Sequence, residues 1–446
     1  MVHSNGRWSR GGAVAGRWRT RLGILSAATV LAGGLTACGG SSTASGTPTL
    51  NWYINPDNGG QQRIAADCSA ASGGAYAIDV SILPSDAAQQ REQLMRRLAG
   101  NDTSIDLMSL DPVFVPETSE AGFLAPVPAD LQQQWSEGVV DGAVQGATWK
   151  DELVAAPFWA NTQLLWYRKS VAQAAGLDTT RPVTWDQLVT AAQEQGTAIG
   201  VQGQRAESMT VWVNAMIASA GGTVIENPDA KGEDLRLGID SEAGRAAAQV
   251  MQDITAAGVG GPGIDNRDEA ATANLFQQGG AAFMVNWPFV YAQGKAAAEE
   301  GTMDQAVFDD YGWTTYPAMS ADQPAAPPLG GIDIGVSAFS EHQDAAFQAV
   351  SCIVSEQNQA AYMVSDGNPA ALESVYDDPT VQEAYPMYDT IRESLKAAVP
   401  RPQTAYYNEV SQGIADQWQP VSSVTERTPA TSQEYILEVL RGEKLL

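Results

Sequence analysis

The chain has 446 residues. A single hydrophobic core rarely supports a chain of this length, so two domains are expected. Apolar residues make up 44% of it, which is ordinary for a globular protein. Lys and Arg number 25 against 52 Asp and Glu, and a formal net charge of −27 excludes nucleic acid and anionic lipid headgroups as expected partners.

Residues 1–37 predict a signal peptide, because they carry five Arg, no acidic residue and an apolar stretch at 22–35. That stretch is shorter than the roughly 20 residues that a membrane span needs. The LTAC sequence at 35–38 resembles the lipobox of bacterial lipoproteins, in which the cysteine becomes the lipid-modified N-terminus. We therefore expect an exported protein that is lipid-anchored at Cys38 to the outer face of the cell membrane, with residues 38–48 forming the lipidated cysteine and a flexible tether. A plain secretory signal with an incidental cysteine is the alternative.

Strands and helices alternate in the first part of the body. The sequence predicts strands at 49–55, 76–84 and 105–110, with a helix from Gln61 and a second helix at 90–99. This alternation is typical of a parallel α/β sheet, and such sheets bind ligands beyond the carboxyl ends of their strands. The polar residues that follow predicted strands in this way are Asn55, Asp57 and Asp111.

The rest of the body continues with the same kinds of element. Residues 153–167 are apolar and extended, with a break at Pro157. The remaining predicted elements are helices at 184–194, 208–221 and 241–257, strands at 281–286, 312–317 and 332–337, one long helix at 345–364, and a mostly helical tail from Pro379 onward. An α/β protein is therefore expected throughout.

Short motifs are spread along the body. They are, in chain order, LVAAPF at 153–158, WDQL at 185–188, FQQGGAAFM at 276–284, NWP at 286–288 and GGIDIGVS at 330–337. Together they resemble the family 1 extracellular solute-binding proteins of ABC sugar importers, the maltose-binding type. The resemblance implies a two-lobed periplasmic-binding-protein fold, in which each lobe is a mostly parallel sheet flanked by helices and the ligand cleft lies at the hinge.

The family pattern implies that the chain passes between the lobes several times. It places residues 49–157 and 316–367 in the N-terminal lobe, and residues 158–315 and 368–446 in the C-terminal lobe. Several extended crossings favour hinge closure around a ligand.

A second set of segments narrows the resemblance. They are WYINPD at 52–57, QREQL at 90–94, SLD at 109–111, PFWANT at 157–162 and VPRP at 399–402. These resemble the trehalose-binding lipoproteins of mycobacterial and related actinobacterial ABC importers. The resemblance implies a monomeric binding protein that captures a neutral disaccharide, trehalose first, and delivers it to an ABC permease and its ATPase. It implies no catalytic activity, no cofactor and no metal ion. A receptor for another sugar, of the maltose type, is the nearest alternative.

A sugar site needs planar polar groups for hydroxyls and a flat aromatic surface for the faces of the ring. Asp accepts from two hydroxyls, Asn and Gln both donate and accept, and Arg donates in a fixed fork. The candidate ligand contacts are Asn55, Asp57, Gln90, Asp111, Asn161, Glu269, Trp287, Gly330, Gly331 and Arg401. The alternatives are helix capping or a solvated surface for the acidic and amide residues, core packing for the tryptophan, hinge flexibility for the glycines, and an ion pair between lobes for the arginine.

Two cysteines remain beside Cys38. Cys68 and Cys352 are an even pair in a protein expected to be exported, which favours one disulfide bond. The family pattern places both in helices of the N-terminal lobe. Two buried free thiols are the alternative.

An enzyme is the main competing hypothesis. Paired carboxylates can form a glycosidase site, but the sequence contains no nucleophile elbow, P-loop or H-E-x-x-H motif. Its two histidines are His3, in the signal segment, and His342, which disfavours histidine base catalysis, zinc chemistry and a metal-binding receptor. A peptide or amino-acid receptor, and a sensor that reports occupancy without import, stay open because one fold serves many ligands.

Overall fold

The computed structural model describes residues 46–446, so the predicted signal segment 1–37 and the predicted lipid site at Cys38 lie outside the described residues. Within 46–446, every helix is too short or too polar to cross a bilayer. Residues 47–446 form a single body by their contacts.

The strands of this body are β1 (Thr49–Ile54), β2 (Ala77–Ile82), β3 (Leu107–Leu110), β4 (Thr148–Trp149), β5 (Glu152–Leu153), β6 (Ala156–Thr162), β7 (Leu164–Arg168), β8 (Ala198–Gly200), β9 (Ala281–Asn286), β10 (Tyr311–Thr314), β11 (Pro328–Val336) and β12 (Val399–Pro400). The first nine α-helices are α1 (Gly60–Ala71), α2 (Ala87–Leu98), α3 (Val115–Glu120), α4 (Ala129–Ser136), α5 (Asp141–Gly146), α6 (Lys169–Ala174), α7 (Trp185–Gln195), α8 (Glu207–Ser219) and α9 (Glu242–Ala256).

The second nine α-helices are α10 (Glu269–Gln277), α11 (Phe289–Glu299), α12 (Gln305–Asp309), α13 (Gln343–Ile353), α14 (Glu356–Asp366), α15 (Pro379–Ala384), α16 (Tyr388–Ala397), α17 (Tyr407–Trp418) and α18 (Thr428–Leu440). Short 3-10 helices lie at Pro112–Phe114, Gly232–Asp234, Ile264–Asn266, Glu373–Asp377 and Val421–Ser423.

The first sheet contains six strands in the order β12-β11-β3-β1-β2, with β6 paired to β11 on a side branch. β1 runs parallel to β2 and β3, and β11 runs parallel to β12. β11 runs antiparallel to β3 and β6. The carboxyl ends of β1, β2 and β3 therefore meet at one edge of this sheet, as the sequence predicted.

The second sheet contains four strands in the order β10-β7-β9-β8. β7 runs antiparallel to both β9 and β10, and β8 runs parallel to β9. The family resemblance implied a mostly parallel sheet in this lobe, but two of the three strand pairings are antiparallel. Helices connect β8 to β9, and these two strands run in the same direction. β7 follows β6 almost directly in the chain and runs opposite to β9.

Each sheet is covered by its own apolar core, and the first and second sheets with the helices that pack on them are termed the first and second lobes. Trp52 and Phe158 are fully buried beside the first sheet, in contact edge to face. Trp185 and Trp212 belong to the core beside the second sheet. Helix α7 begins at Trp185 because Thr184 and Gln187 form a capping box, in which each side chain accepts from the other residue's backbone N–H.

Strands β6 and β11 pair antiparallel along most of their length. Pro157, predicted to break the extended segment, lies inside β6, where the register with β11 shifts beside Asp333. β12 lies within 368–446, the stretch predicted for the C-terminal lobe, yet its two residues pair with β11 of the first sheet. This pairing places the following residue, Arg401, at the edge of the first sheet.

Cys68 of α1 and Cys352 of α13 are joined by a disulfide bond across 284 residues of sequence. Cys68 is fully buried, and the amide of Asn358 donates to the backbone carbonyl oxygen of Cys352. The bond therefore ties the two chain stretches that build the first lobe.

The single long helix predicted at 345–364 is instead two helices, α13 and α14. The break lies at Val354 and Ser355, where Ser355 adopts an extended backbone with ψ 151°. The side-chain Nε2 of Gln359 donates to the backbone carbonyl oxygen of Val354, which accepts no N–H from within a helix. The apolar periodicity continues across the break, so the sequence pattern did not reveal it.

Candidate ligand-binding site

A cavity of about 240 Å³, termed here the inner chamber, lies where the carboxyl edge of the first sheet faces the second lobe. Nine of the ten sequence candidates line it: Asn55, Gln90, Asp111, Asn161, Glu269, Trp287, Gly330, Gly331 and Arg401. The other lining residues were not among the predicted ligand contacts; they are Ser85, Ala87, Trp159, Glu207, Val211, Phe289 and Ile332. The fold thus brings together residues from widely separated parts of the chain.

Asp57 is the candidate that does not line the inner chamber. Its carboxylate accepts from the backbone N–H of Gly59 at 2.9 Å and from that of Gln61 at 2.7 Å. These N–H groups lie at the start of α1, where helix donors have no partner within the helix. Asp57 therefore caps α1, which is the alternative role that its sequence context allowed.

Two tryptophans and two glycines shape the wall of the chamber. A Cβ atom on Gly330 would lie 3.2 Å from the Trp287 ring, so glycine lets the ring approach the β11 backbone. Gly331 has φ +145°, and a Cβ atom there would lie 2.3 Å from the carbonyl oxygen of Trp159. Gly331 therefore requires glycine, whereas a Cβ atom at Gly330 would only tighten the contact with the Trp287 ring.

Asn161 and Trp159 present unused hydrogen-bond donors. Asn161 is 7% exposed and its Oδ1 accepts from the backbone N–H of Thr162, whereas its Nδ2 has no hydrogen bond within residues 46–446. The buried indole nitrogen of Trp159 also lacks a partner among the described residues. Asn161 lines the inner chamber, so its Nδ2 can donate to an acceptor on a ligand bound there.

Arg401 sits between two carboxylates that come from different lobes. Its Nη2 donates to Asp111 Oδ1 at 2.8 Å, and its Nη1 donates to Glu207 Oε1. Tyr407 donates its hydroxyl to the same Glu207 oxygen at 2.6 Å. Arg401 is 3% exposed, so this ion pair network is shielded from solvent and holds the three charged groups in fixed positions.

Burial shifts the ionisation of the acidic groups in the chamber. Desolvation raises the pKa of Asp111, and Glu207 adds to the effect, although Arg401 opposes it. Desolvation raises the pKa of Glu269 to about 7, with Glu207 contributing in the same direction. Glu269 lies in the first turn of α10 and is absent from the ion pairs of the described chain.

Glu207 is the charged residue that sequence reasoning missed. It is the first residue of α8, one position before the predicted helix start at Ser208. An acidic residue in a first helical turn is common for electrostatic reasons alone, so nothing local marked it as part of a site. Its partner Arg401 lies 194 positions away in sequence.

A second space, termed the outer chamber, adjoins the first and measures about 620 Å³. The two chambers share the lining residues Ser85, Ala87, Glu207, Glu269 and Phe289. The outer chamber is also lined by Pro56, Asp86, Gln204, Ala206, Ser208, Asp268 and Ala270. Small-molecule pockets commonly measure about 300–1,000 Å³, so the two chambers together hold a ligand larger than the inner chamber alone.

Within residues 46–446, no group of three or more His, Cys, Asp or Glu side chains is arranged to hold a metal ion. His342 precedes α13, and its backbone N–H donates to the Ser340 hydroxyl. It lines neither chamber.

Comparisons with known proteins agree with this architecture. Residues 70–360 match the family of bacterial extracellular solute-binding proteins. A probable ABC transporter-binding protein of Deinococcus radiodurans is 28% identical over 286 residues, which cover 61% of this chain and 64% of that protein. The chain thus spans less than two thirds of that relative's length.

Two solved structures share the fold. The maltose-bound MalE3 of T. maritima has a TM-score of 0.76 at 24% identity, covering 89% of this chain and 100% of that one. The GacH receptor of Streptomyces glaucescens, solved unliganded and with acarbose, has a TM-score of 0.71 at 21% identity. The match covers 89% of this chain and 98% of that one. These similarities confirm the predicted two-lobed α/β fold. Because the family match extends over more than half of its residues, the chain belongs to the bacterial extracellular solute-binding proteins.

Proposed function

We propose that this protein captures a neutral disaccharide, with trehalose as the first candidate, and delivers it unchanged to an ABC permease and its ATPase. The observation that carries the proposal is the inner chamber, in which two tryptophans and planar polar groups from both lobes line one space. Relatives named for maltose, for acarbose and for ABC transporter binding support the sugar class and the partners. The choice of trehalose rests on the sequence segments that resemble trehalose-binding lipoproteins.

The lining residues have distinct proposed roles. Asp111 accepts from sugar hydroxyls while Arg401 holds it in place. Asn161 donates through its unused Nδ2, and Trp287 packs against a ring face. Gln90 donates its Nε2 to the carbonyl oxygen of Pro84 at 2.8 Å, which leaves its side-chain oxygen for a hydroxyl.

The proposal includes the predicted division of the chain between lobes. Residues 49–157 and 316–367 form the N-terminal lobe, and residues 158–315 and 368–446 form the C-terminal lobe. The pairing of β12 with the first sheet makes Arg401 the point where the last stretch returns to the N-terminal side of the cleft.

Isothermal titration calorimetry of the mature protein against trehalose, maltose and glucose tests the substrate. We expect heat with trehalose and a weaker response, or none, with the other two. Heat with maltose alone keeps a sugar receptor and rejects trehalose. An absence of heat with all three sugars, together with hydrolysis of a glycoside, rejects the proposed function.

The proposed location is the outer face of the cell membrane, through a lipid on Cys38. Replacing the cysteine (Cys38→Ala) removes the atom that carries the lipid, so we expect release into the medium or an unprocessed precursor. Cell fractionation with immunoblotting measures this, and Ser42→Ala in the tether is the matched control. A Cys38→Ala protein that is fully processed and still retained on the membrane contradicts lipid anchoring.

A further inference from the structure

A small apolar cluster joins the two lobes and is separate from the cores beside the sheets. It consists of Val113, Phe114 and Tyr407, with Ala87 packed against it, and is termed here the interlobe cluster. Phe114 is 5% exposed and Tyr407 is 1% exposed, so the contact excludes water as a core does. The lobes therefore meet through buried apolar side chains as well as through charged groups.

Three members of the interlobe cluster belong to the first lobe. Val113 and Phe114 lie in the 3-10 helix Pro112–Phe114, which follows β3 of the first sheet. Ala87 begins α2, and Leu94 of this helix packs in the apolar cluster that contains residues of β1 and β3. Their positions are therefore set by the first sheet.

Tyr407 belongs to the second lobe. It is the first residue of α17, which packs against α8 and α18. Val410 and Ile414 of α17 are buried in the core beside the second sheet. The Tyr407 hydroxyl also donates to Glu207, the first residue of α8, at 2.6 Å. The Tyr407 ring is therefore held by the second lobe.

The contact between the lobes is an aromatic pair. The rings of Phe114 and Tyr407 meet edge to face, with centroids 5.8 Å apart and planes at 75°, a geometry that aromatic pairs prefer. The Arg401 guanidinium lies over the Tyr407 ring, 6.0 Å from its centroid. Neither Phe114 nor Tyr407 lines the inner or the outer chamber. The pair therefore joins the lobes directly, whatever the chambers hold.

The interlobe cluster is connected to the wall of the inner chamber. Asp111 caps the 3-10 helix that carries Phe114, and Glu207 accepts from the Tyr407 hydroxyl. Both carboxylates line the inner chamber, and both accept from Arg401. Packing of Phe114 against Tyr407 therefore brings carboxylates from opposite lobes to the same arginine, and this completes one wall of the chamber.

We propose that the interlobe cluster holds part of the sugar-free protein closed, so that Phe114 and Tyr407 set the affinity for every ligand without touching one. Opening the lobes would expose both rings to water, so closure gains their burial before a ligand arrives. The apparent affinity for a ligand of the closed arrangement scales with the fraction of closed molecules. Both residues are thus positioning residues. The inference rests on the proposed function, because it requires a ligand that contacts both lobes.

Two variants of Phe114 test the inference on the full mature protein. Phe114→Ala removes the ring, and Phe114→Leu keeps apolar volume without the aromatic edge. We expect calorimetry to show binding about tenfold weaker for Phe114→Ala and less weakened for Phe114→Leu, by a common factor for each of trehalose and maltose that binds. Small-angle X-ray scattering of the sugar-free protein should give a larger radius of gyration in both variants than in the wild type.

Phe339→Ala is the matched control. Phe339 packs against Phe123 with centroids 6.0 Å apart, and this pair lies within the first lobe and lines neither chamber. The control should lower the melting temperature and leave both the sugar affinity and the sugar-free radius unchanged. The double variant Phe114→Ala/Tyr407→Ala should weaken binding by less than the product of the two single effects, because each change removes the same contact.

The outcomes distinguish this inference from the proposed function. Unchanged affinity and unchanged sugar-free radius in both Phe114 variants overturn the inference and leave the function standing. Weaker affinity with an unchanged sugar-free radius also overturns it, because the loss then does not come from opening. If no sugar binds the wild type, the proposed function fails, and the inference stands or falls on the sugar-free radius alone.

Discussion

At the scale of single residues, the site depends on charges that hold one another in place. Arg401 is buried and contacts Asp111 and Glu207, and Tyr407 fixes Glu207 further. Removing one member of a buried ion pair leaves an uncompensated charge, at a cost of about 3–5 kcal/mol. A ligand hydroxyl therefore meets carboxylate oxygens whose positions are set before it arrives, which reduces the ordering that binding requires.

Trp287 is the residue whose loss should affect ligand affinity most directly. Trp287→Ala removes the aromatic face that packs on the sugar ring, so we expect binding to weaken about 10-fold or more while the fold survives. Calorimetry gives the affinity, and the melting temperature reports on the fold. Trp313→Ala is the matched control, because Trp313 packs against Trp166 and Tyr291 away from both chambers. Equal sugar affinity in the wild type and in Trp287→Ala contradicts the proposed packing of this ring against the sugar.

Glu269 should make stability depend on pH. Its pKa of about 7 in the fold lies above the ordinary value of 4.5, so the folded state keeps a proton that the unfolded state loses between these values. The free energy of unfolding should therefore fall as pH rises through this window, by up to about 3 kcal/mol from this group. The side chain of Glu269→Gln does not titrate, so this variant is the control for the wild type.

The measurement is denaturant unfolding of both proteins at a series of pH values from about 4 to about 8. The quantity of interest is the difference between them, since other groups titrate alike in both. A difference that is the same at all pH values shows that the Glu269 pKa is not raised.

At the scale of elements, the first lobe is assembled from distant stretches of chain. α1 packs against α13 and α14, and the core between them contains Ile64, Val350 and Tyr362. The disulfide bond between Cys68 and Cys352 joins α1 to α13 covalently. The two stretches therefore stay together even when the rest of the lobe fluctuates.

Removing this bond should lower stability without changing the fold. For a closed loop of this length, chain entropy gives about 5 kcal/mol as an upper value, since residual structure in the unfolded chain reduces it. The test compares denaturant unfolding of Cys68→Ser/Cys352→Ser with the wild type, using the reduced wild type as control. Two titratable thiols in the unreduced, denatured wild type contradict the disulfide.

At the scale of the whole molecule, the cleft is a contact between two lobes. Asp111 and Arg401 belong to the edge of the first sheet, and Glu207 begins a helix that packs in the core of the second lobe. A ligand between them touches both lobes, which favours the closed arrangement over an open one.

Small-angle X-ray scattering tests this motion. We expect a smaller radius of gyration with the bound sugar than without it, because closure brings the lobes together. Glu207→Gln weakens the contact between lobes and should give a larger radius in the sugar-free state than the wild type. Identical radii for wild type and variant, each with and without sugar, contradict closure.

Much of the fold follows from local sequence. The strand at 281–286 has the predicted bounds, and α7, α8 and α9 start within one residue of their predicted starts. Local signals sufficed there, as in the capping box at Thr184 and the apolar run of β9. The second sheet was predicted with the wrong strand directions, because pairing direction depends on how the connections cross the molecule and not on the residues of one strand.

The sequence by itself determined that Asn55 and Asp111 lie at one edge of the cleft, because residues that directly follow the parallel strands β1 and β3 lie at the carboxyl edge of their sheet. Only the tertiary structure decided that Glu207 meets Arg401, that Asp57 caps α1 and that a second, acidic chamber adjoins the first. These facts depend on which residues far apart in sequence are packed side by side. Local propensity does not encode that proximity. The burial of the site residues and the balance of charge around them follow from the proximity.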